Sequence, residues 1–466
     1  MTKLLVEPAM ILTLDCDERL IERGHIVIEH GVIVAIGSGA YAGDVDRRID
    51  ASGMIATPGL VNAHTHSQSS TMAGFGDRLS HPAFMWLTQA HTARRTPAEA
   101  ALVVKLCAWA MLTSGTTACI DHFPGQRCDF DDLHAVRDAW TESGVRATLA
   151  LRFFDDSFAD IAPPGITLPD DADRLLGPMA LCDVRALAEA FASRPHRVPV
   201  WPAPSNPERC TQDALLWCAE HAARFDTGIH IHLAETAAQL RLAQERHGDS
   251  TVAHLHRIGA LSDRWSCAHS VWLDDADIAL MADSDALVVL NPESNARIGA
   301  GVAPIAKLRA AGVRLALGTD GAGANDNMSM QEAMRTAATL DRRGPRAGWA
   351  GSREALGWAT TGGADAVRVP GLGRLAVGAP ADLVLYRLDS PHWAPLNDPV
   401  AQLVFAETGA SVDTVIVAGE VLLRGGRPTR FDPVELAAEA RAMAARLRVR
   451  NADLFLLAER VAEVLP

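Results

Sequence analysis

Between residues 55 and 367 the sequence repeats one texture: a short apolar or β-branched run, a loop, and then a helical pattern. Parallel strands need a crossover to bring the chain back to the same edge, so this alternation predicts a parallel α/β architecture. Eight strand candidates can be named: Ile55 to His64, Thr116 to Asp121, Val145 to Arg152, Val198 to Ala203, Gly228 to Leu233, Trp265 to His269, Ala286 to Leu290 and Arg314 to Thr319. Helical patterns follow most of them, as at Ala98 to Thr113, where Leu102, Leu106, Trp109 and Leu112 share one side, and at Gln212 to Arg224, Ala237 to Arg246 and Ser329 to Thr339. Eight such units over about 310 residues predict a (β/α)8 TIM-like barrel with insertions, above the typical ~250.

The two chain ends read differently. Leu4 to Ile55 carries short strand-like runs at Met10 to Leu14, His25 to Glu29 and Val32 to Ile36, broken by Gly and Asp turns. Similar runs return at Ala381 to Arg387 and Val412 to Arg424. The expectation is a small β-sandwich domain built from residues 1–56 and 368–428, around a barrel at 57–367, with a C-terminal helical arm over 429–466. Two long connections, Ser67 to Thr96 and Phe153 to Cys182, are expected to be lids or binding loops.

Composition narrows the partners. The formal net charge is −14 and no Lys/Arg run supplies a basic patch, which argues against nucleic acid or an anionic membrane and for a small-molecule ligand. No apolar stretch reaches the roughly 18 residues of a membrane helix, and Met1-Thr2-Lys3 opens no signal-peptide pattern, so a cytoplasmic protein is expected. The eight cysteines include no Cys-x-x-Cys pair and read as reduced core residues. A homo-oligomer is expected, the helical arm packing on its own domain or on a neighbouring subunit.

Chemistry concentrates at the strand ends. His64 and His66 in Asn-Ala-His-Thr-His are two apart, so strand alternation puts both on one face, where they can ligate one ion. His230 and His232 share a face of the fifth strand, but His232 lies nearer its end, three residues before Glu235; His232 is taken as the ligand and His230 as a packed or supporting histidine. His269 ends the sixth strand, and Asp320 follows the eighth in Gly-Thr-Asp-Gly, on the rim where barrel catalytic residues lie. Three imidazoles and a carboxylate suit one divalent transition metal such as Zn²⁺ or Fe²⁺, and a metal so held generates hydroxide at neutral pH. Taken singly, His-x-His could be two core histidines bonded to carbonyls, Gly-Thr-Asp-Gly a turn, and His269 a packed ring. Their joint occurrence at four strand ends points to a site.

At this point the sequence resembles the amidohydrolase superfamily, in the metal-dependent aminohydrolase branch that holds cytosine, guanine, S-adenosylhomocysteine and 8-oxoguanine deaminases and triazine hydrolases. The likeness is carried by Pro58 to His66, His232-Leu233-Ala234-Glu235, Asn291 to Asn295, Gly318 to Gly321, and Gly371 to Leu375 with Gly378 to Val384, across roughly residues 5 to 425. It implies His64, His66, His232 and Asp320 as metal ligands, His269 holding the attacking oxygen, Asp320 taking the water proton, and Glu235 shuttling it to the ring nitrogen. Binuclear relatives carry a bridging residue, often a carboxylated lysine, on the fourth strand; Val-Pro-Val-Trp-Pro-Ala-Pro has none, which implies one metal. The implied activity is ammonia release from an aminated nitrogen heterocycle (purine, pterin, pyrimidine or triazine). The alternatives are hydrolysis of another C–N or C–Cl bond and a non-catalytic scaffold. Where several relatives have Pro-His-Ala-Pro-Tyr, this chain has Pro204 to Arg209, so its substrate contacts differ. Candidates are Gln68, Trp86, Arg152, Glu208, Arg209 and Asn295.

Overall fold

The computed structural model describes residues 3–465 apart from 125–127, 157–164, 173–176, 194–195, 341 and 343–345. Its centre is a ring of eight strands: Leu60–Thr65, Thr116–Phe123, Arg146–Phe153, Val200–Pro204, Ile229–Leu233, Trp265–His269, Leu287–Leu290 and Arg314–Leu317. The first four pair in sequence order and so do the last four, all in parallel register. Backbone bonds join the two halves. His232 N donates to Ser205 O at 3.2 Å on one side, and Thr319 N and Asp320 N donate to His64 O at 3.1 and 3.0 Å on the other. Asn62 clasps that second seam, its Nδ2 on Thr319 Oγ1 (2.7 Å) and its Oδ1 accepting from Thr319 N (3.1 Å). The strands are buried along nearly their whole length, as parallel strands covered on both faces must be.

The expected first strand is in fact two. Met54–Pro58 belongs to the terminal sheet, antiparallel to Leu383–Arg387, and the barrel strand begins only at Leu60. Gly59 makes the junction: a Cβ there would stand 2.1 Å from Thr117 Oγ1, so only glycine lets the chain pass so close to the second strand.

Both chain ends build one nine-stranded sheet in which Leu4–Leu12 pairs with Met54–Pro58 and Leu20–Glu29, and Leu383–Arg387 joins the C-terminal strands to it. Alternation gives it two apolar faces. Leu4, Val6, Ile26, Ile28, Leu383, Leu385 and Ile416 enclose a small core of their own, while Ile55, Val384, Tyr386, Val415 and Val417 join the large core around the barrel. The small β domain is thus fastened to the barrel by a buried face.

The connection from Ser67 to Thr96 is ordered into a short 3-10 turn, Ser67–Ser69, and a helix, His81–Thr92, so Trp86 lies on a helix and not on a loop. The second long connection falls partly outside the described residues. After Pro433 the chain forms helices Pro433–Arg450 and Ala452–Val464, which pack back on their own barrel. Asn451 Nδ2 at their junction donates to Ala90 O (3.0 Å) and Ala93 O (2.8 Å), and Arg450 bonds Glu99 Oε2 at 2.7 Å. Among the described residues no helix is long and apolar enough to cross a membrane. All eight cysteines are free, and six are buried.

Candidate metal centre and cavity

The C-terminal ends of strands one, two, five, six and eight bring six ionisable residues of the sequence analysis, with His122, to one point. His64 Nε2 and His66 Nε2 lie 3.3 and 3.2 Å from Asp320 Oδ1, and His66 Nε2 faces His232 Nε2 at 3.1 Å. Three of the residues at this rim, Ala234, His269 and Asp320, hold φ of 46°, 74° and 61°, a left-handed conformation that non-glycine residues rarely adopt. Such strain clusters where a side chain must be presented at a set angle. Gly318 gives room for it: a Cβ would meet Asn291 Oδ1 at 2.5 Å and His64 Cβ at 2.7 Å.

Each ring is fixed from behind. His66 Nδ1 meets His122 O at 2.8 Å and His232 Nδ1 meets Ser205 O at 2.6 Å, so both Nδ1 atoms carry hydrogen and both Nε2 atoms present lone pairs. Two lone pairs facing each other at 3.1 Å repel unless a cation lies between them. His64 Nε2 is likewise buried without a hydrogen-bond partner, while its Nδ1 bonds His230 Nε2 at 2.7 Å and His230 Nδ1 bonds Ser266 Oγ at 3.1 Å. His230 thus stands behind His64, on the ring nitrogen turned away from Asp320. Burial pushes the His64 pKa down to about 4 and those of His230 and His232 well below their ordinary value, keeping the rings neutral and available to a metal. Asp320 is buried, and Ser294 Oγ donates to its Oδ2 at 2.6 Å while Gly321 N donates to its Oδ1 at 2.9 Å. This is a histidine-rich metal site, and its donors fit a divalent transition metal.

Glu235 follows the fifth strand and is anchored by its own helix: Gln239 Oε1 accepts from Glu235 N at 2.6 Å, and Thr236 caps Ala237–His247. Its Oε1 lies 3.3 Å from His81 Nε2 and 3.8 Å from His269 Nε2. Burial raises its pKa, but His269 and then His81 bring the carboxyl down to about 2.

A cavity of about 650 Å³, its opening included, adjoins these groups. His66, His232, Glu235 and Asp320 form its reactive wall, Phe84, Met85 and Ile298 an apolar wall, and Gln68, Arg152 and Arg209 a polar wall. Arg152 donates to Ser205 Oγ at 3.0 and 3.2 Å. Burial lowers its pKa to about 10, and burial together with Arg152 lowers that of Arg209 well below its ordinary value.

Three expected substrate contacts do not line the cavity. Trp86 is turned into the outer core of the barrel. Glu208 is buried with its Oε1 on the Thr251 hydroxyl. Asn295 is committed to the reactive wall in another way, its Oδ1 fixing His269 Nδ1 at 2.7 Å. Two residues escaped the sequence analysis. His122 extends the second strand one residue past its expected end, and its buried ring stacks at 5.4 Å on His66 and lies 4.6 Å from His232. The same strand-end signal that marks His64 would have marked it. His81 opens the helix of the first long connection, where Ser80-His81-Pro82 is a readable helix start.

Fold and site together define a metal-dependent hydrolase with a (β/α)8 core. The chain belongs to the amidohydrolase family, whose model matches residues 55–422, and it is a deaminase acting on C–N bonds other than peptide bonds. It is 34% identical over 452 residues to a 5-methylthioadenosine/S-adenosylhomocysteine deaminase of Nitratidesulfovibrio vulgaris, covering 94% of this chain and 96% of that protein. It is 32% identical over 435 residues to a 5'-deoxyadenosine deaminase of Methanothermobacter thermautotrophicus, covering 92% and 95%. Among solved structures, a zinc-bound adenosine deaminase from Xanthomonas campestris superposes with a TM-score of 0.84 at 28% identity, covering 96% of this chain and 98% of that one. An atrazine chlorohydrolase from Arthrobacter aurescens TC1 complexed with zinc superposes with a TM-score of 0.84 at 26% identity, covering 95% and 100%.

Proposed function

We propose that the protein releases ammonia from an aminopurine, of the kind its curated relatives are named for, using one Zn²⁺ held by His64, His66, His232 and Asp320. The observation that carries this reading is the pair of Nε2 lone pairs of His66 and His232 facing each other at 3.1 Å in a cavity that Glu235 also lines. Fe²⁺ suits the same donors. A divalent transition metal there supplies hydroxide from water at neutral pH.

The side chains handle the protons. Asp320 takes one from the attacking water, and Glu235 carries one to the ring nitrogen beside the attacked carbon. His269, its Nδ1 fixed by Asn295, presents Nε2 to accept a bond from the O–H of the attacking oxygen. The second water proton leaves with the amine as ammonia, and the product keeps the oxygen. Gln68, Arg152 and Arg209, which line the same cavity, orient the ring, and the two arginines suit oxo or anionic groups.

The test is ammonia release by zinc-loaded protein from adenosine, 5-methylthioadenosine and S-adenosylhomocysteine, with chloride release from atrazine in parallel. Ammonia from a purine with one metal per chain is the expected result. Chloride release alone, or protein that takes up no transition metal, would overturn the reading.

A further inference from the structure

We propose that the C-terminal arm sets the shape of the substrate cavity, with Asn451 as the positioning residue that holds helix His81–Thr92 and, through Arg95, the turn that carries Gln68. The proposal rests on the reading of the cavity as a substrate site given above. Helix His81–Thr92 touches both cavity and arm. His81, Phe84, Met85, Thr88 and Gln89, spaced three and four apart, place one of its faces on the cavity. Helix Ala452–Val464 of the arm packs against the same helix, with the Phe455 ring edge-on to His91 at 6.1 Å.

The last turn of a helix leaves carbonyls without partners inside the helix. Here the buried side chain of Asn451 supplies the donors, its Nδ2 bonding Ala90 O at 3.0 Å and Ala93 O at 2.8 Å. Arg94 is tied to the arm as well: Arg450 Nη1 donates to Arg94 O at 2.7 Å, and the Arg94 guanidinium donates to Asp453 at 2.8 and 2.9 Å. Arg95, the next residue, reaches the other way, its Nη1 donating to Gln68 O at 2.5 Å and its Nη2 to Thr71 Oγ1 at 3.3 Å. One clamp on residues 90–94 thus holds two stretches of the cavity lining, and neither supplies any of the four proposed metal donors. His81 lies 3.3 Å from Glu235, while Gln89 is eight residues, about 12 Å, further along the helix. Release of the clamped end therefore acts on the part of a substrate farthest from Glu235, and costs a large substrate more than a small one.

The experiment measures bound metal, Tm, amide hydrogen exchange, and kcat and KM for adenosine and S-adenosylhomocysteine, in zinc-loaded wild type, Asn451→Ala, Asn451→Asp and Met443→Ala. Met443 is buried against Val103 of helix Pro97–Thr113, so its loss weakens the arm's other contact and leaves the clamp in place. Asn451→Ala is expected to raise KM about tenfold for S-adenosylhomocysteine and less for adenosine, with kcat and metal content unchanged. Exchange should quicken over residues 81–96 and stay as it was in the barrel strands. Asn451→Asp sets a carboxylate against the same carbonyls and should exceed Asn451→Ala in both effects. Met443→Ala should lower Tm and leave KM as in wild type. An unchanged KM in Asn451→Ala, or an equal rise in Met443→Ala, would overturn the proposal. Wild-type protein that turns over neither substrate would instead sink the functional reading, and exchange over residues 81–96 would still decide whether Asn451 holds the helix.

Discussion

The two walls of the cavity are built on different principles. On the reactive wall four histidines have a partner on the ring nitrogen that points away from the centre: His64 on His230, His66 on His122 O, His232 on Ser205 O, His269 on Asn295. On the polar wall two cations, Arg152 and Arg209, are buried, and the charge of Arg152 works against that of Arg209. The first wall is prepared for an ion and works by fixed geometry. The second, on the reading proposed above, receives the substrate. The reactive groups thus stand at the strand ends of the barrel, while Gln68 and Arg209 come from the short turns Ser67–Ser69 and Pro207–Arg209 and Arg152 from the third strand.

Substitutions on the two walls should separate along that line. The largest effect is expected for His232→Ala, which removes a metal donor: bound metal is lost and turnover falls by roughly four orders of magnitude or more, read by elemental analysis beside ammonia release. Glu235→Gln comes next, with metal retained and kcat down about 10²- to 10⁴-fold. If it too emptied the site, the division between metal and proton handling would fail. His230→Ala, one step behind the reactive wall, should weaken metal binding about 10- to 100-fold in chelator competition by freeing the His64 ring. Arg209→Met belongs to the other wall and should raise KM about tenfold with metal content intact; a loss of metal there would erase the contrast between the walls.

The smallest effect concerns stability. Glu208, beneath the arginine wall, has its carboxyl pushed up to about 7 by burial from an ordinary 4.5. A carboxyl whose pKa is raised by folding stabilises the fold while both states hold the proton, below about pH 4.5, and that contribution is lost as pH rises through 7. Glu208→Gln should therefore flatten the decline in Tm between pH 5 and pH 8. A decline unchanged in the variant would assign it elsewhere, for instance to Glu293, also pushed up to about 7 by burial.

The reactive wall was the more legible in the sequence. Its residues sit at the ends of short apolar runs, where strand period and position dictate both face and depth, so His64, His66, His232, His269 and Asp320 could be placed without the fold. The same logic located all eight barrel strands. It failed at Gly59, because one continuous apolar run from Ile55 to His64 carries no period that reveals a change of sheet; the break is enforced by contact with Thr117, on a strand more than fifty residues away. The substrate wall was only partly readable. Gln68, Arg152 and Arg209 do face the cavity, but Trp86 and Glu208 point away from it and His81 went unnoticed. Side-chain direction on loops and on short helices is decided by tertiary packing, for which local sequence has no code.

The clasp between Asn62 and Thr319 joins residues 257 positions apart, and the site straddles it. His64 emerges from the ribosome early and Asp320 late, so the four-donor set is incomplete until the last barrel strand has been synthesised and has found the first. A nascent chain can offer metal only a partial chelate. On the proposed ligand set, uptake of the ion at full affinity would follow ring closure, and a circular permutant opened at this seam would be a variant expected to hold metal weakly.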